Sequence, residues 1–258
     1  MIELLTNLKL IFFVMFFFLM LIIESYYPER KWSSGRIIRL GFHGLIALIN
    51  TLIMRVPTLF LVVPALLITN ENKYGLLNSS EYNFMTKALL SLLLLDLAFY
   101  WWHRINHTVG FFWRFHSVHH LDTHLDVTTS LRFHIGELIF SSMFKVILIF
   151  IIGIPISIFI FYEIILSACN QFHHSNIRLS EKFNLVLEKF IVTPKYHTNH
   201  HTVKKASREA NYSSILTIWD KIFFTYIDAT KTEREYLGLD DRDKEFGLIN
   251  NIKHPFIQ

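Results

Sequence analysis

Charge-free stretches divide this chain before any motif does. From Leu10 to Ile23 the run LIFFVMFFFLMLII holds no charged side chain. With Leu4, Leu5 and Leu8 ahead of it, the segment is long enough to cross a bilayer. It starts with Glu3 and Lys9 and exits into Glu24-Ser25-Tyr26-Tyr27-Pro28-Glu29-Arg30-Lys31. A signal peptide would have a basic start and a small-residue cleavage site, so the run reads as a retained transmembrane helix. A second apolar stretch, Leu40 to Thr69, contains Arg55, Pro57 and Pro64. At about 45 Å of helix it is too long for a straight span. A kink near Arg55–Pro57 is expected, with a hairpin of two half-depth pieces as the alternative. A third stretch runs from Phe84 to Trp102 and ends in the aromatic belt Tyr100-Trp101-Trp102. The last, Leu138 to Phe172, carries Lys145 and Glu163 and breaks at Gly153-Ile154-Pro155. Gly and Pro there predict a turn between two short helices that enter and leave on one side.

The pattern gives an all-α integral membrane protein with about four to five transmembrane or half-spanning helices. The loop Glu24–Arg39 holds Arg30, Lys31, Arg36 and Arg39, whereas the loop after the second stretch holds Lys73 against Glu71 and Glu81. The positive-inside rule puts the first loop in the cytoplasm. The third helix then returns the chain to that side at His103, and the hairpin does so again near His173. Ile105, Ser175 and Gln258 are expected together there, and the charge-rich residues 175–258 are expected to form a cytoplasmic helical cap.

Composition agrees. Of 258 residues, 52% are hydrophobic and 18% charged, below the roughly 25% charge of a soluble globule. Mean hydropathy is +0.35. The single cysteine, Cys169, excludes an internal disulfide framework and a cysteine-built zinc or iron–sulfur site. A net charge of +4 in so apolar a chain points to membrane topology more than to nucleic acid, and no nucleic-acid partner is expected.

Fourteen histidines are the exceptional feature. His103-Arg104-Ile105-Asn106-His107 is an i, i+4 pair. His116-Ser117-Val118-His119-His120 is an i, i+3, i+4 triple, and His197-Thr198-Asn199-His200-His201 repeats it. His173-His174 lie between them, with Asn170 four residues before His174. Residues three and four apart share a helix face, so each group can aim its imidazoles at one point. One such histidine is ordinarily an interfacial or capping residue. Two identical triples and a pair, all after predicted exits on one side, point instead to metal, and eight clustered imidazoles exceed the need of one tetrahedral zinc. The cap is therefore expected to hold a histidine-rich di-metal site. Asp96, Tyr100, His103 and His107 form one stripe of the third helix. A carboxylate at that depth faces the protein interior, either paired with Arg104 or a neighbouring helix or, as preferred, orienting a histidine N–H. His43 stands alone, and a buried hydrogen-bonded role is expected for it.

These residues together resemble the fatty acid hydroxylase/sterol desaturase superfamily of membrane di-iron oxygenases. The similarity is carried by Asp96-x-x-x-Tyr100-x-x-His103-Arg104-x-x-His107, by His116-x-x-His119-His120, and by Thr193-Pro194-Lys195-Tyr196-His197-x-x-His200-His201. It extends through Asp126 to Glu137, Phe172-His173-His174-Ser175-Asn176, Asn211-Tyr212 and Trp219-Asp220, most closely in the manner of bacterial sterol desaturase family proteins. The resemblance implies His103, His107, His116, His119, His120, His174, His197, His200 and His201 as ligands of two iron ions. It implies Asp96 and Tyr100 as catalytic residues, and His173, Asn170 or water as candidates for a tenth ligand. His134 is placed by it near the site, orienting a ligand or bracing the fold. Departures are Asn170, where some relatives have a further histidine; Ile135, often Pro; and Ser213, often Gly.

The implied activity is hydroxylation or desaturation of a lipid C–H bond. Dioxygen would be co-substrate, with electrons ultimately from NAD(P)H through a reductase or small carrier, since no dinucleotide fingerprint occurs in the chain. The implied location is the bacterial inner membrane with the histidines facing the cytoplasm. The chain then reads as a single membrane domain over 1–258, with anchor helices over 1–95, a catalytic region over 96–226 and a C-terminal cytoplasmic tail over 227–258. The rival reading is a non-redox membrane metal-binding or transport protein. A zinc peptidase is less favoured, because no H-E-x-x-H occurs.

Overall fold

The computed structural model describes residues 2–32, 35–239 and 247–257. Among them lie twelve α-helices: α1 Ile2–Tyr26, α2 Arg36–Pro57, α3 Val63–Glu71, α4 Phe84–Thr108, α5 Gly110–His120, α6 Ile135–Leu148, α7 Ile156–His174, α8 Glu181–Leu187, α9 Pro194–His200, α10 Lys205–Arg208, α11 Ile218–Ile222 and α12 Leu248–Lys253. The described residues contain only isolated β-bridges, such as Pro28 with Ile177 and Thr202 with Leu237. Five helices are long and apolar enough to cross a membrane, and the protein is an all-α integral membrane protein. Their outer faces leave Met15, Ile37 and Phe60 more than two-thirds exposed, which only a lipid solvent favours.

The second apolar stretch is one long helix, Arg36–Glu71, rather than a hairpin. Its break falls just after the expected place, as a π turn at Thr58–Val62. Pro57 and Pro64 each remove a backbone donor there, and the wider i→i+5 turn absorbs the mismatch. The last hairpin differs more from expectation. Its arms, Ile135–Gly153 and Ile156–His174, have 19 residues each, about 28 Å of helix, and both reach the opposite end of the bundle. There the turn docks on the α3–α4 loop, with Leu76 N and Leu77 N donating to the carbonyls of Ile151 (3.0 Å) and Ile152 (2.8 Å). Gly75 and Gly153 both have positive φ, and a Cβ on Gly75 would stand 2.3 Å from Gly153 N, so the contact requires glycine.

At the histidine end, the chain after α1 is stitched to the chain after α7. Glu29 N donates to Asn176 O and Arg178 N to Tyr27 O, both at 2.8 Å. Glu24 Oε2 accepts from Val127 N (3.0 Å) and Asn176 N (2.9 Å). The basic residues that set the predicted topology are partly internal braces. Arg30 donates to Leu125 O and Thr198 Oγ1, and Arg39 is buried in an ion pair with Asp122. Burial raises the Asp122 pKa, but the adjacent Arg39 guanidinium outweighs it and holds the carboxyl below the usual carboxylate range.

The C-terminal residues do not trail away. Arg132 donates to Asn251 Oδ1 (3.2 Å), and the ring nitrogen of His254 meets Ser117 Oγ at 3.1 Å, so the end of the chain is packed under α5. Gln258, expected on the histidine side, lies outside the described residues.

Reporter fusions are expected to put Ile105 and Ser175 on one side of the membrane and Asn72 and Ile154 on the other. Finding Ser175 opposite Ile105 would refute the full-length hairpin.

Candidate metal centre

All nine predicted ligands converge, and they do so as two groups. His103, His107, His116, His120 and His200 bring ligand atoms within 4.8 Å of one another, as do His119, His174, His197 and His201. The rings of His119 and His201, from different triples, are 4.8 Å apart. Helix geometry explains how each triple feeds both groups. Residues i and i+4 point about 40° apart, while i+3 diverges from i+4 by about 100°. In the first triple His116 and His120 therefore join one group and His119 the other. In the second, His197 and His201 stay together and His200 crosses over.

Backbone carbonyls fix the tautomers. Nδ1 of His103 faces Tyr212 O at 2.8 Å, that of His119 faces Arg132 O at 3.1 Å, that of His174 faces Asn170 O at 2.7 Å, and that of His200 faces Ala210 O at 2.6 Å. A carbonyl only accepts, so the proton sits on Nδ1 and Nε2 carries a bare lone pair. His116 Nδ1 makes the same bond with Glu137 Oε1 at 2.8 Å. The Nε2 atoms of His119 and His174 nevertheless lie 2.9 Å apart, and His197 Nε2 is 3.1 Å from those of His174 and His201. With both Nδ1 atoms protonated, the lone pairs of His119 and His174 repel at that distance unless a cation lies between them. His107 and His120 have no partner at either ring nitrogen among the described residues. The residues present fit a pair of metal ions. Burial, followed by the neighbouring imidazoles, holds His120, His197, His200 and His201 well below the usual histidine pKa. His119 is held there by the same causes. These rings are therefore neutral at pH 7 and available as ligands.

The surrounding chain is shaped to present those carbonyls. Asn211 adopts φ +56°, a left-handed turn that asparagine tolerates better than most residues. This turn points the carbonyls on either side, Ala210 and Tyr212, at His200 and His103. Its amide donates to Tyr196 O and Ile227 O and accepts from Ile227 N. Asp220 anchors the same loop, accepting from Tyr212 N (2.8 Å), Ser213 N (2.9 Å) and Tyr196 Oη (2.9 Å). Burial and this carboxylate push the Tyr196 phenol up, so it stays a donor. Thr193 caps α9 through its hydroxyl, and Pro194 occupies the first turn, where its missing N–H costs nothing.

Several residues marked from sequence lie elsewhere. Asp96 does not orient a histidine: Oδ2 accepts from Trp219 Nε1 (2.7 Å) and Leu216 N (3.1 Å). Seven residues of helix, about 10 Å, separate it from His103. Tyr100 is fully buried with its hydroxyl on Thr225 Oγ1 at 2.9 Å, stacked on Phe223. Both residues pin the loop after α9 to α4 instead of touching the metal groups. His134 caps α6, accepting from Gly136 N, and its other nitrogen meets Ile252 O. His173 lies outside both groups, with its ring 4.1 Å from that of His197. Asn170 contributes its carbonyl to His174. His43 is buried on Thr128 Oγ1 at 2.7 Å, as expected. The carbonyls of Arg132, Ala210 and Tyr212 were missed, since a carbonyl has no sequence signature. Glu137 closes the motif block that begins at Asp126, and its spacing of 21 residues from His116 carries no signal of their contact.

A cavity of about 170 Å³ adjoins the site. His103, His116, His119, His174 and His197 close one end; Phe99, Trp102, Phe133, Leu138 and Leu166 supply apolar walls; Ser141, Lys145 and Asn170 add polar groups. The cap holds a larger cavity of about 840 Å³, lined by Arg30, Lys31, Lys195 and Arg234 among others, with no ligand histidine.

The chain is also similar to known proteins. The family described as Fatty acid hydroxylase matches residues 88–225. The chain is 25% identical to an ornithine lipid hydroxylase of Rhizobium tropici over 66% of this chain and 50% of that protein. It is 30% identical to alkylglycerol monooxygenase of Xenopus tropicalis over 82% of this chain and 46% of that protein. For the same enzyme of Homo sapiens the identity is 31% over 56% of this chain and 31% of that protein. The chain thus spans half or less of the length of these relatives. No solved structure matches it significantly.

Asn211→Ala is expected to lower bound metal per folded chain by half or more, because a left-handed alanine costs about 1–2 kcal/mol and both carbonyls move. Asn211→Gly keeps the turn and should lose less. Metal analysis of protein purified without air measures both, and equal metal in Asn211→Ala and wild type would refute the role of this turn.

Proposed function

The chain belongs to the fatty acid hydroxylase family, and from that premise we propose that it is a membrane di-iron oxygenase acting on a lipid. The observation that carries the reading is the convergence of nine imidazoles in two groups beside an apolar-walled cavity. His103, His107, His116, His120 and His200 would hold one iron; His119, His174, His197 and His201 would hold the other. When bound, the pair supplies dioxygen activation, chemistry that no side chain of the chain can supply. In hydroxylation one oxygen atom enters a C–H bond and the other leaves as water, with two electrons and two protons consumed. Desaturation removes two hydrogens and sends both oxygen atoms to water, using the same two electrons and protons.

The protein's own residues hold the geometry and exclude water. Carbonyls of Tyr212, Arg132, Asn170 and Ala210 keep the protons of four rings on Nδ1, leaving the metal-facing nitrogens bare. His120, His200 and His201 have no solvent exposure. Phe99, Trp102 and Leu166 line the way in for an alkyl chain. The two electrons come from NAD(P)H through a separate reductase or carrier that meets the cap. Arg30, Lys31, Arg36 and Arg39 argue for a cytoplasmic cap, and the bacterial inner membrane is the location we propose. The relatives' names support a lipid substrate, one being an ornithine lipid hydroxylase and another an alkylglycerol monooxygenase.

The test compares His200→Ala with His43→Ala, reading iron and lipid product per folded chain on the same samples. His200→Ala should lose at least one iron and reduce lipid oxidation at least a hundredfold. His43→Ala should lower abundance and total activity together, with activity per folded chain within about twofold. Full iron and full lipid oxidation in His200→Ala would overturn the reading. A wild type that holds a single weakly bound zinc and oxidises no lipid would favour the non-redox alternative.

A further inference from the structure

Three charged side chains from three helices meet inside the membrane-spanning bundle, away from the metal groups. Glu163 of α7 receives Lys9 of α1 at 2.8 Å and Lys145 of α6 at 2.9 Å. Lys145 is eight residues from Gly153 and Glu163 seven from Ile156, so both lie about 10–12 Å from the hairpin turn, well within the span. Charge at that depth is expensive. A neutral pair would be the least costly arrangement, and Lys9 alone completes one with Glu163. With both lysines as ammonium groups, Lys145 is a second cation beyond what the one carboxylate neutralises.

The second cation is the one that lines the cavity beside the metal site. Its ammonium has three donors. Among the described residues it meets one Glu163 oxygen and, at 5.7 Å, the face of Phe99, so its three donors are not all used. The apolar walls between Lys145 and the histidines accept a hydrocarbon segment. The cavity's 170 Å³ is below the roughly 300–1,000 Å³ of a site that swallows a whole small molecule, so it takes a short segment of a chain rather than a whole lipid.

We propose that Lys145 is an anion anchor: it binds a single anionic oxygen group of the substrate and so fixes which carbon of the attached chain lies at the metal groups. One anion also neutralises the triad. Glu163 is then the positioning residue that holds the ammonium, and Lys9 keeps Glu163 charged while Lys145 turns to its ligand. The proposal rests on the lipid-oxygenase reading for what happens to the chain, but the binding preference can be measured without turnover.

The experiment uses the full chain purified in detergent, with three sixteen-carbon probes: palmitate, hexadecyl phosphate and uncharged hexadecanol. Wild type should bind at least one of the anions about tenfold or more tighter than hexadecanol, the gain expected of a charge-assisted bond. Palmitate and the phosphate ester tell a carboxylate site from a phosphate site. Lys145→Met leaves Glu163 paired with Lys9 and should abolish the preference with iron content unchanged; Lys145→Arg should retain most of it. Where the wild type turns a probe over, Lys145→Met should also spread oxidation over several carbons. A Lys145→Met protein that keeps its iron and the full anion preference overturns the anchor, as does a wild type that prefers neither anion. Anion preference in a wild type that oxidises nothing would instead overturn the oxygenase reading and leave the anchor standing.

Discussion

An imidazole offers a lone pair at Nε2 only while its proton stays on Nδ1, and that proton needs an acceptor. In this protein most of the acceptors are backbone carbonyls, contributed by segments far apart in the chain. The loop after α9 serves His200 and His103, the turn before α6 serves His119, and α7 serves its own last residue. Because a carbonyl cannot rotate away from its peptide plane, the backbone must be held still wherever it serves a ring. Much of the remaining architecture of the cap follows from that demand.

The holding is done by buried polar contacts. Asp220 gathers two backbone N–H groups and a phenol, and Asp96 ties Trp219 and Leu216 to α4 from the membrane side. Arg39 and Asp122 form a fully buried pair at the first helix end. Removing one partner of such a pair strands a charge and costs far more than the pair contributes in net terms. These residues are placed like catalytic groups, near the site and out of water, yet their partners are loops.

Much of this was legible in the sequence, because helical spacing is simple geometry. The spans followed from apolar runs, and the gathering of eight histidines from the i, i+3, i+4 repeats, while His174 joined them only through the family resemblance. Spacing along one helix could not say what stands across from it. Asp96 and Tyr100 share the stripe of His103, but their partners, Trp219 and Thr225, come from a loop more than a hundred residues later. The hairpin was expected to consist of two short helices because Gly153-Ile154-Pro155 breaks the stretch, which also carries Lys145 and Glu163. They pair with each other and with Lys9 across three helices, which lets the full span stay buried. The C-terminal segment read as a tail because it is polar, but His254 and Asn251 find their partners inside.

That last contact has a consequence for biosynthesis. The ribosome makes His103 about 150 residues before His254, an interval on the order of ten seconds at ordinary elongation rates. During that time the helices can insert, but the carbonyls of residues 210 and 212 and the brace under α5 do not yet exist. The early histidines then lack the carbonyls that orient them in the folded chain. A chain cut short before α12 would therefore carry every histidine of the two groups without the brace under α5.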